Sequence, residues 1–178
     1  MPVPPSSEVT PNVLLDTCII QYAVSKDTGA IFQQYLAEFS SRGYPLAISE
    51  FSIYELLQGT SVSKEAELLQ WLNSFNTRYL VANNVLLAAA QLRTLYDMEK
   101  ISREQVGDGD KIIASTSILT GSPILTANLN DFPRPFFYEI ERKQLIYRYK
   151  DTQRMIPTCL LAADTDIINS RFSSRPKN

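Results

Sequence analysis

The chain has 178 residues, 44% apolar and 20% charged, with 17 basic and 19 acidic side chains and a formal charge of −2. This is the size and balance of one globular domain with a sizeable core; it excludes a uniformly basic nucleic-acid coat while leaving room for a local basic path. Histidine is absent, which removes imidazole bases, His-dependent triads and the usual zinc sites, so any metal chemistry would rest on oxygen ligands.

Cys18 and Cys159 are the only cysteines, too few for a disulfide framework or a zinc cluster, and they read as small buried residues in a reducing compartment. The N-terminus lacks the basic start and apolar core of a signal peptide. No apolar run approaches the roughly 20 residues that span a bilayer. The expected location is cytoplasmic, with no membrane contact.

Residues 1–11 hold four prolines and little apolar material, the composition of a loose arm. Asn12-Val13-Leu14-Leu15-Asp16 reads as a short buried strand closing on a carboxylate, as a parallel strand covered on both faces requires. Thr17 to Ser25 predicts a short helix, and Ala30 to Phe39 carries helical apolar spacing. Leu46 to Ser49 is the second strand; Glu50 to Gln58 is the following helix, stopped by Gly59. Two more helices are predicted over 64–75 and 84–100, with a short strand over 78–81 between them.

Gly107-Asp108-Gly109-Asp110 then opens an apolar helix that ends at Gly121. Residues 123–128 form a further buried strand, with Asn130 and Asp131 in the loop beyond it. Phe136 to Tyr149 and Met155 to Ala163 are rich in β-formers around a turn near Asp151-Thr152, which predicts an antiparallel hairpin on the sheet edge. Asp164 to Phe172 is a final short helix before a basic tail. The predicted fold class is α/β: a three-layer α/β/α sandwich around a parallel sheet, extended by the C-terminal hairpin and helix.

Four acids occupy equivalent places in this scheme. Asp16 follows the first strand, Glu55 lies on the helix after the second, Asp110 sits at a helix start, and Asp131 lies beyond a late strand. In a parallel sheet such positions share one edge and can converge. Converged carboxylates repel, and a divalent cation is what makes them compatible. A cation held by few protein oxygens keeps positions for water and phosphate, the arrangement that hydrolyses a phosphodiester. Each acid also has a structural explanation. Glu55 stands at capping-box spacing from Ser52, although Ser49 is the more natural cap; Asp108 is a good N-cap; Asp110 suits the positive end of a helix dipole; Asp131 fits a turn. Asp16 is the hardest to explain this way, because a charge ending a buried strand is costly without a partner.

The stretches Leu14-Leu15-Asp16-Thr17, Ser49 through Glu55 to Gly59, Asp110 to Ser117 and Ile124 to Phe132 together resemble the PIN-domain family, especially the VapC-type ribonuclease toxins. The resemblance covers roughly residues 12–150. It implies a nuclease domain over 12–150 and leaves 151–178 as a C-terminal extension packed on it. It implies a metal-dependent endoribonuclease using Mg²⁺ or Mn²⁺, with Asp16, Glu55, Asp110 and Asp131 catalytic and the same four plus Asn128 as metal ligands. Thr17 would orient Asp16 or a bound water, with Asp108 and Thr126 in support. Asn128 stands where many relatives carry an acid, so a second metal would be bound more weakly, and Asp108 is the candidate to compensate. RNA as substrate, a small antitoxin and a homodimer are the implied partners.

Arg134, Arg142, Lys143 and Arg148 are interleaved with aromatic residues, a pattern that suits RNA binding and equally a half-buried edge hairpin; the hairpin explanation is the stronger. A catalytically degenerate PIN fold serving as an RNA- or protein-binding module competes with the enzyme, with Asn128 its best support. An aspartyl-nucleophile phosphatase is disfavoured, since it needs a second Asp where this chain has Cys18.

Overall fold

Val13–Leu15 form β1, and all three side chains are fully buried. The computed structural model describes residues 10–102 and 104–174; residues 1–9 of the expected arm, and Arg175 and Lys177 of the basic tail, lie outside the described residues. β1 pairs in parallel with β2 (Leu46–Ser49) on one side and β4 (Ile124–Thr126) on the other, and β2 pairs in parallel with β3 (Thr77–Tyr79). The antiparallel hairpin of β5 (Phe137–Tyr149) and β6 (Thr152–Ala163) completes a six-stranded mixed sheet in the order β3-β2-β1-β4-β6-β5.

Alternation along β1 shows why helices cover both faces. Val13 and Leu15 join a core with Ile19 of α1 (Thr17–Val24), Phe32 of α2 (Gly29–Ser41), Leu56 of α3 (Glu50–Gln58) and Leu72 of α4 (Val62–Leu72). Leu14 points the other way, into a core with Leu92 and Tyr96 of α5 (Asn83–Met98), Ile113 of α6 (Asp108–Thr120) and Ile168 of α7 (Thr165–Ser173). Each fully buried aliphatic side chain contributes roughly 1.5–3 kcal/mol, which lets strands of three residues persist at the centre of the sheet. The three-layer sandwich is therefore as predicted.

The caps explain where helices begin and end. Ser49 Oγ accepts the Phe51 N–H at 3.2 Å and starts α3, so the cap is Ser49 and Glu55 is left for other work. Gly121 closes α6 in the left-handed region at φ 68°. Asp164 Oδ1 accepts the Ile167 N–H at 2.9 Å and starts α7.

After β1 the chain builds β2 and β3 on one side, then returns to lay β4 on the other. The gap between the carboxyl ends of β1 and β4 is thus a topological switch point, where open α/β sheets place ligands. β6 lies between β4 and β5, paired antiparallel with β4 through Thr126↔Cys159. The boundary expected at residue 150 consequently falls in the hairpin turn, inside the sheet.

Candidate active site

Asp16 occupies the switch point. It is only 3% exposed and takes the N-cap position of α1, yet its side chain makes no capping bond. Asp16 Oδ2 instead accepts the Thr126 hydroxyl at 2.6 Å and the Cys18 thiol at 3.0 Å. Thr126 Oγ1 in turn accepts the Asn128 N–H at 2.8 Å, which fixes the hydroxyl as a donor to the carboxylate. Burial, and then the neighbouring Asp16 charge, push the Cys18 thiol up, so Cys18 is a neutral donor.

Glu55 is brought to the same place by α3. Its Oε2 accepts the Thr17 hydroxyl at 2.6 Å, and Ser52 Oγ lies 3.0 Å from Thr17 Oγ1. The Thr17 hydroxyl has one proton, and the Glu55 carboxylate is its nearer and stronger acceptor, with Ser52 Oγ a second, more distant acceptor of the same proton. Of the expected roles for Thr17, orienting Asp16 or a bound water, neither describes the hydrogen bond seen, which goes to Glu55 because α1 carries the hydroxyl toward α3.

Asp110 is the third residue of α6, and its Oδ2 accepts the Gly107 N–H at 3.0 Å. The cap of α6 is Gly107, which has no side chain, so only the Asp110 half of a capping box exists. Asp108, expected as the N-cap and as a compensating ligand, stands on the surface with a side chain 95% exposed. It is ion-paired at 2.6 Å with the buried Lys111 ammonium. Asp131 follows β4 in a 3₁₀ turn over Leu129–Asp131, and its Oδ2 accepts the Asn128 side-chain amide at 2.7 Å. Asn128 thereby positions Asp131.

Three of the carboxylates respond to burial and to neighbouring acids. Burial raises the Glu55 carboxyl first, and the charges of Asp110 and Asp16 add to it. Burial also raises Asp110, with Asp16 adding and Lys111 opposing. Asp131 is pushed up to about 7, by burial first and then by Asp110 and Asp16. Burial, with like charge adding to it, produces this pattern. Among the described residues, no three acidic or thiol side chains close to the spacing of a ready-made metal cage. The acids lie within electrostatic range of one another. An all-oxygen set with raised carboxyls fits a hard divalent cation, which would relieve the repulsion.

Gly109 explains how α6 comes so close. A Cβ there would lie 2.5 Å from Phe51 Cε1 and 2.7 Å from Glu55 Oε1, so a side chain at this position would displace both. Tyr96 backs the cluster from α5: its buried hydroxyl has no hydrogen-bond partner, and burial followed by the Asp110 charge raises its phenol. Cys18, Ser52, Gly109 and Tyr96 were not legible as site residues. Only the adjacency of Cys18 to Asp16-Thr17 offered a signal.

The basic candidates lie elsewhere. Arg142 pairs with Glu139 at 2.5 Å, and Arg134 helps it hold that carboxyl below its usual range. Lys143 pairs with Glu38 of α2, and Arg148 is exposed near the tip of the hairpin. Of the two central cations of the predicted RNA face, Lys143 thus ties the hairpin to α2 and Arg142 is paired within its own strand.

The fold is of the PIN type. No protein-family model matches the chain. Over 121 residues it is 29% identical to Ribonuclease VapC19 of Mycobacterium tuberculosis, a match covering 67% of this chain and 91% of that relative. Its fold superposes on the DNA-bound VapBC of Salmonella typhimurium with a TM-score of 0.58 at 20% identity, over 70% of this chain and 92% of that one. A toxin–antitoxin complex from Klebsiella pneumoniae gives 0.53 at 21% identity, over 70% and 92%. The resemblance to VapC-type proteins drawn from the motifs holds in both sequence and fold.

Proposed function

We propose that this chain is an endoribonuclease of the VapC toxin type, with its active site in the crevice between β1 and β4. The observation that carries the reading is the convergence of Asp16, Glu55, Asp110 and Asp131, three of them raised by burial and mutual charge. The likeness to Ribonuclease VapC19 supports RNA as the substrate, and the likeness to a toxin–antitoxin complex supports a small antitoxin as a partner. A homodimer is the further assembly that the resemblance implies.

The residues suited to hold Mg²⁺ or Mn²⁺ are the four carboxylates, with the Asn128 carbonyl oxygen as a neutral addition. Such an ion, when bound, would supply Lewis acidity to water and to the phosphoryl oxygens. The chain's own residues do the positioning. Thr126 and Cys18 fix Asp16, Thr17 fixes Glu55, the Gly107 N–H fixes Asp110, and Asn128 fixes Asp131. With no histidine in the chain, proton transfer falls to carboxylates and water.

The test is cleavage of mixed structured and single-stranded RNAs by purified protein. Wild type with Mn²⁺ is expected to cut, while wild type in EDTA and Asp110→Ala with Mn²⁺ are expected to be inert. Cutting that survives both EDTA and the substitution overturns the site. Absence of cutting, together with no Mn²⁺ uptake by calorimetry, identifies a binding module instead.

A further inference from the structure

We propose that the outer half of the β5–β6 hairpin is a substrate arm that grips single-stranded RNA beside the acidic crevice. The inference rests on the endoribonuclease reading for its choice of polyanion. Its geometry comes from strand register. Thr126, whose hydroxyl holds Asp16, lies opposite Cys159, and Cys159 lies opposite Arg142. The hairpin continues past that level for seven further pairs, Lys143↔Thr158 to Tyr149↔Thr152. At about 3.3 Å per residue the tip projects roughly 20 Å beyond the edge where the carboxylates gather.

The arm is anchored at its root. Leu145 and Ile156 are buried in the core beneath α1 and α2, and the Arg42–Glu141 and Lys143–Glu38 pairs tie β5 to α2. Tyr22 and Cys18 of α1 and Tyr147 of β5 all pack against that same core, on the flank of the crevice. Beyond the anchor the character changes. Residues 144–157 hold Arg148, Lys150 and Arg154 against the single acid Asp151, in a chain with a net charge of −2. All three cations are exposed, and none enters an ion pair among the described residues. The Arg154 guanidinium lies over the Tyr149 ring at 4.5 Å, and the Lys150 ammonium lies 5.6 Å from the same ring.

The charge distribution argues for the occupant. Four carboxylates repel a phosphodiester backbone, so a polyanion reaches them only if cations nearby hold the rest of the strand. Arg148, Lys150 and Arg154 are such cations, and a guanidinium stacked on a tyrosine offers a flat face to an unpaired base.

The test uses the full chain carrying Asp110→Asn, in EDTA, so that binding is read without cleavage. The probe is fluorescein-labelled oligouridine long enough to run from the crevice to the hairpin tip, followed by anisotropy across a KCl series. Adding Arg148→Gln, Lys150→Gln and Arg154→Gln together should weaken binding about tenfold or more at low salt. It should also make the log–log salt slope shallower by about 2, since each phosphate contact to a single strand contributes about 0.7. Arg148→Lys with Arg154→Lys should keep the slope. Unchanged melting of each variant confirms that the fold is intact. Normal oligouridine binding by the folded triple variant, or none by the parent, overturns the proposal. An equal loss of polyglutamate binding assigns the arm to an acidic protein segment and overturns it as well. Cleavage that survives Asp110→Ala would sink the active-site reading and leave this binding result standing, so the two failures are distinct.

Discussion

At the scale of single residues, each carboxylate in the crevice is aimed by a different neutral donor. A hydroxyl or amide can orient an anion without neutralising it, and the anion's charge remains available to a cation. Thr17 is the clearest case, because its hydroxyl oxygen lies 2.6 Å from Glu55 Oε2 while the side chain is only 7% exposed. Thr17→Val keeps the shape and removes the donor. The expected outcome is a fall in kcat of about 10- to 100-fold with little change in RNA affinity. Single-turnover cleavage alongside anisotropy reads the two separately, and a variant with wild-type kcat would show that Thr17 is only structural.

At the scale of elements, the start of α6 is where backbone freedom becomes function. Gly107 leaves its N–H for Asp110, and Gly109 lets the first turn of α6 lie against Phe51 and Glu55. Any Cβ at Gly109 would overlap both neighbours, so the Phe51 ring and the Glu55 carboxylate would have to shift. Gly109→Ala is therefore expected to lower stability by about 1–3 kcal/mol, the usual cost of overpacking. Activity should fall further than that stability loss explains, because the Glu55–Asp110 geometry goes with it. Urea midpoints and cleavage rates on one preparation check this; a stable, fully active alanine variant would contradict the packing.

At the scale of the whole molecule, the uncompensated crevice couples folding to pH. The Asp131 carboxyl, pushed up to about 7 in the folded chain from an ordinary 3.8, makes the native state bind its proton more tightly than the unfolded chain does. Between about pH 4 and pH 7 stability therefore falls as pH rises, since the folded state holds more protons across that window. In EDTA, melting temperatures are expected to be higher near pH 5 than above pH 7, and Asp131→Asn should flatten the difference. Adding Mg²⁺ or Mn²⁺ at the higher pH should raise the melting temperature by mass action. Wild-type protein whose slope is identical to that of Asp131→Asn would remove Asp131 as the source.

Local chemistry was enough to place the elements. Continuous apolar runs at Val13–Leu15 and Ile124–Thr126 require strands buried on both faces, and a carboxylate at the end of such a run can be located by counting. The hairpin was legible for the same reason, since β-formers on either side of a turn encode their own register. The partner of each side chain was not legible. Asp16 meets Thr126, 110 residues away, only because β4 is laid beside β1, and Thr17 turns to Glu55 only because α1 packs beside α3. Tyr96 backs the acids and Asp108 does not for a similar reason: the packing of α5 on α6 decides which side of the helix is buried. The sequence by itself determined which residues carry charge and which strand or helix end presents them, because those properties are local. Only the tertiary structure decided which donor each acid meets and which cations stay unpaired, because a hydroxyl has one proton and a cation one best partner, and both are assigned by neighbours distant in the chain.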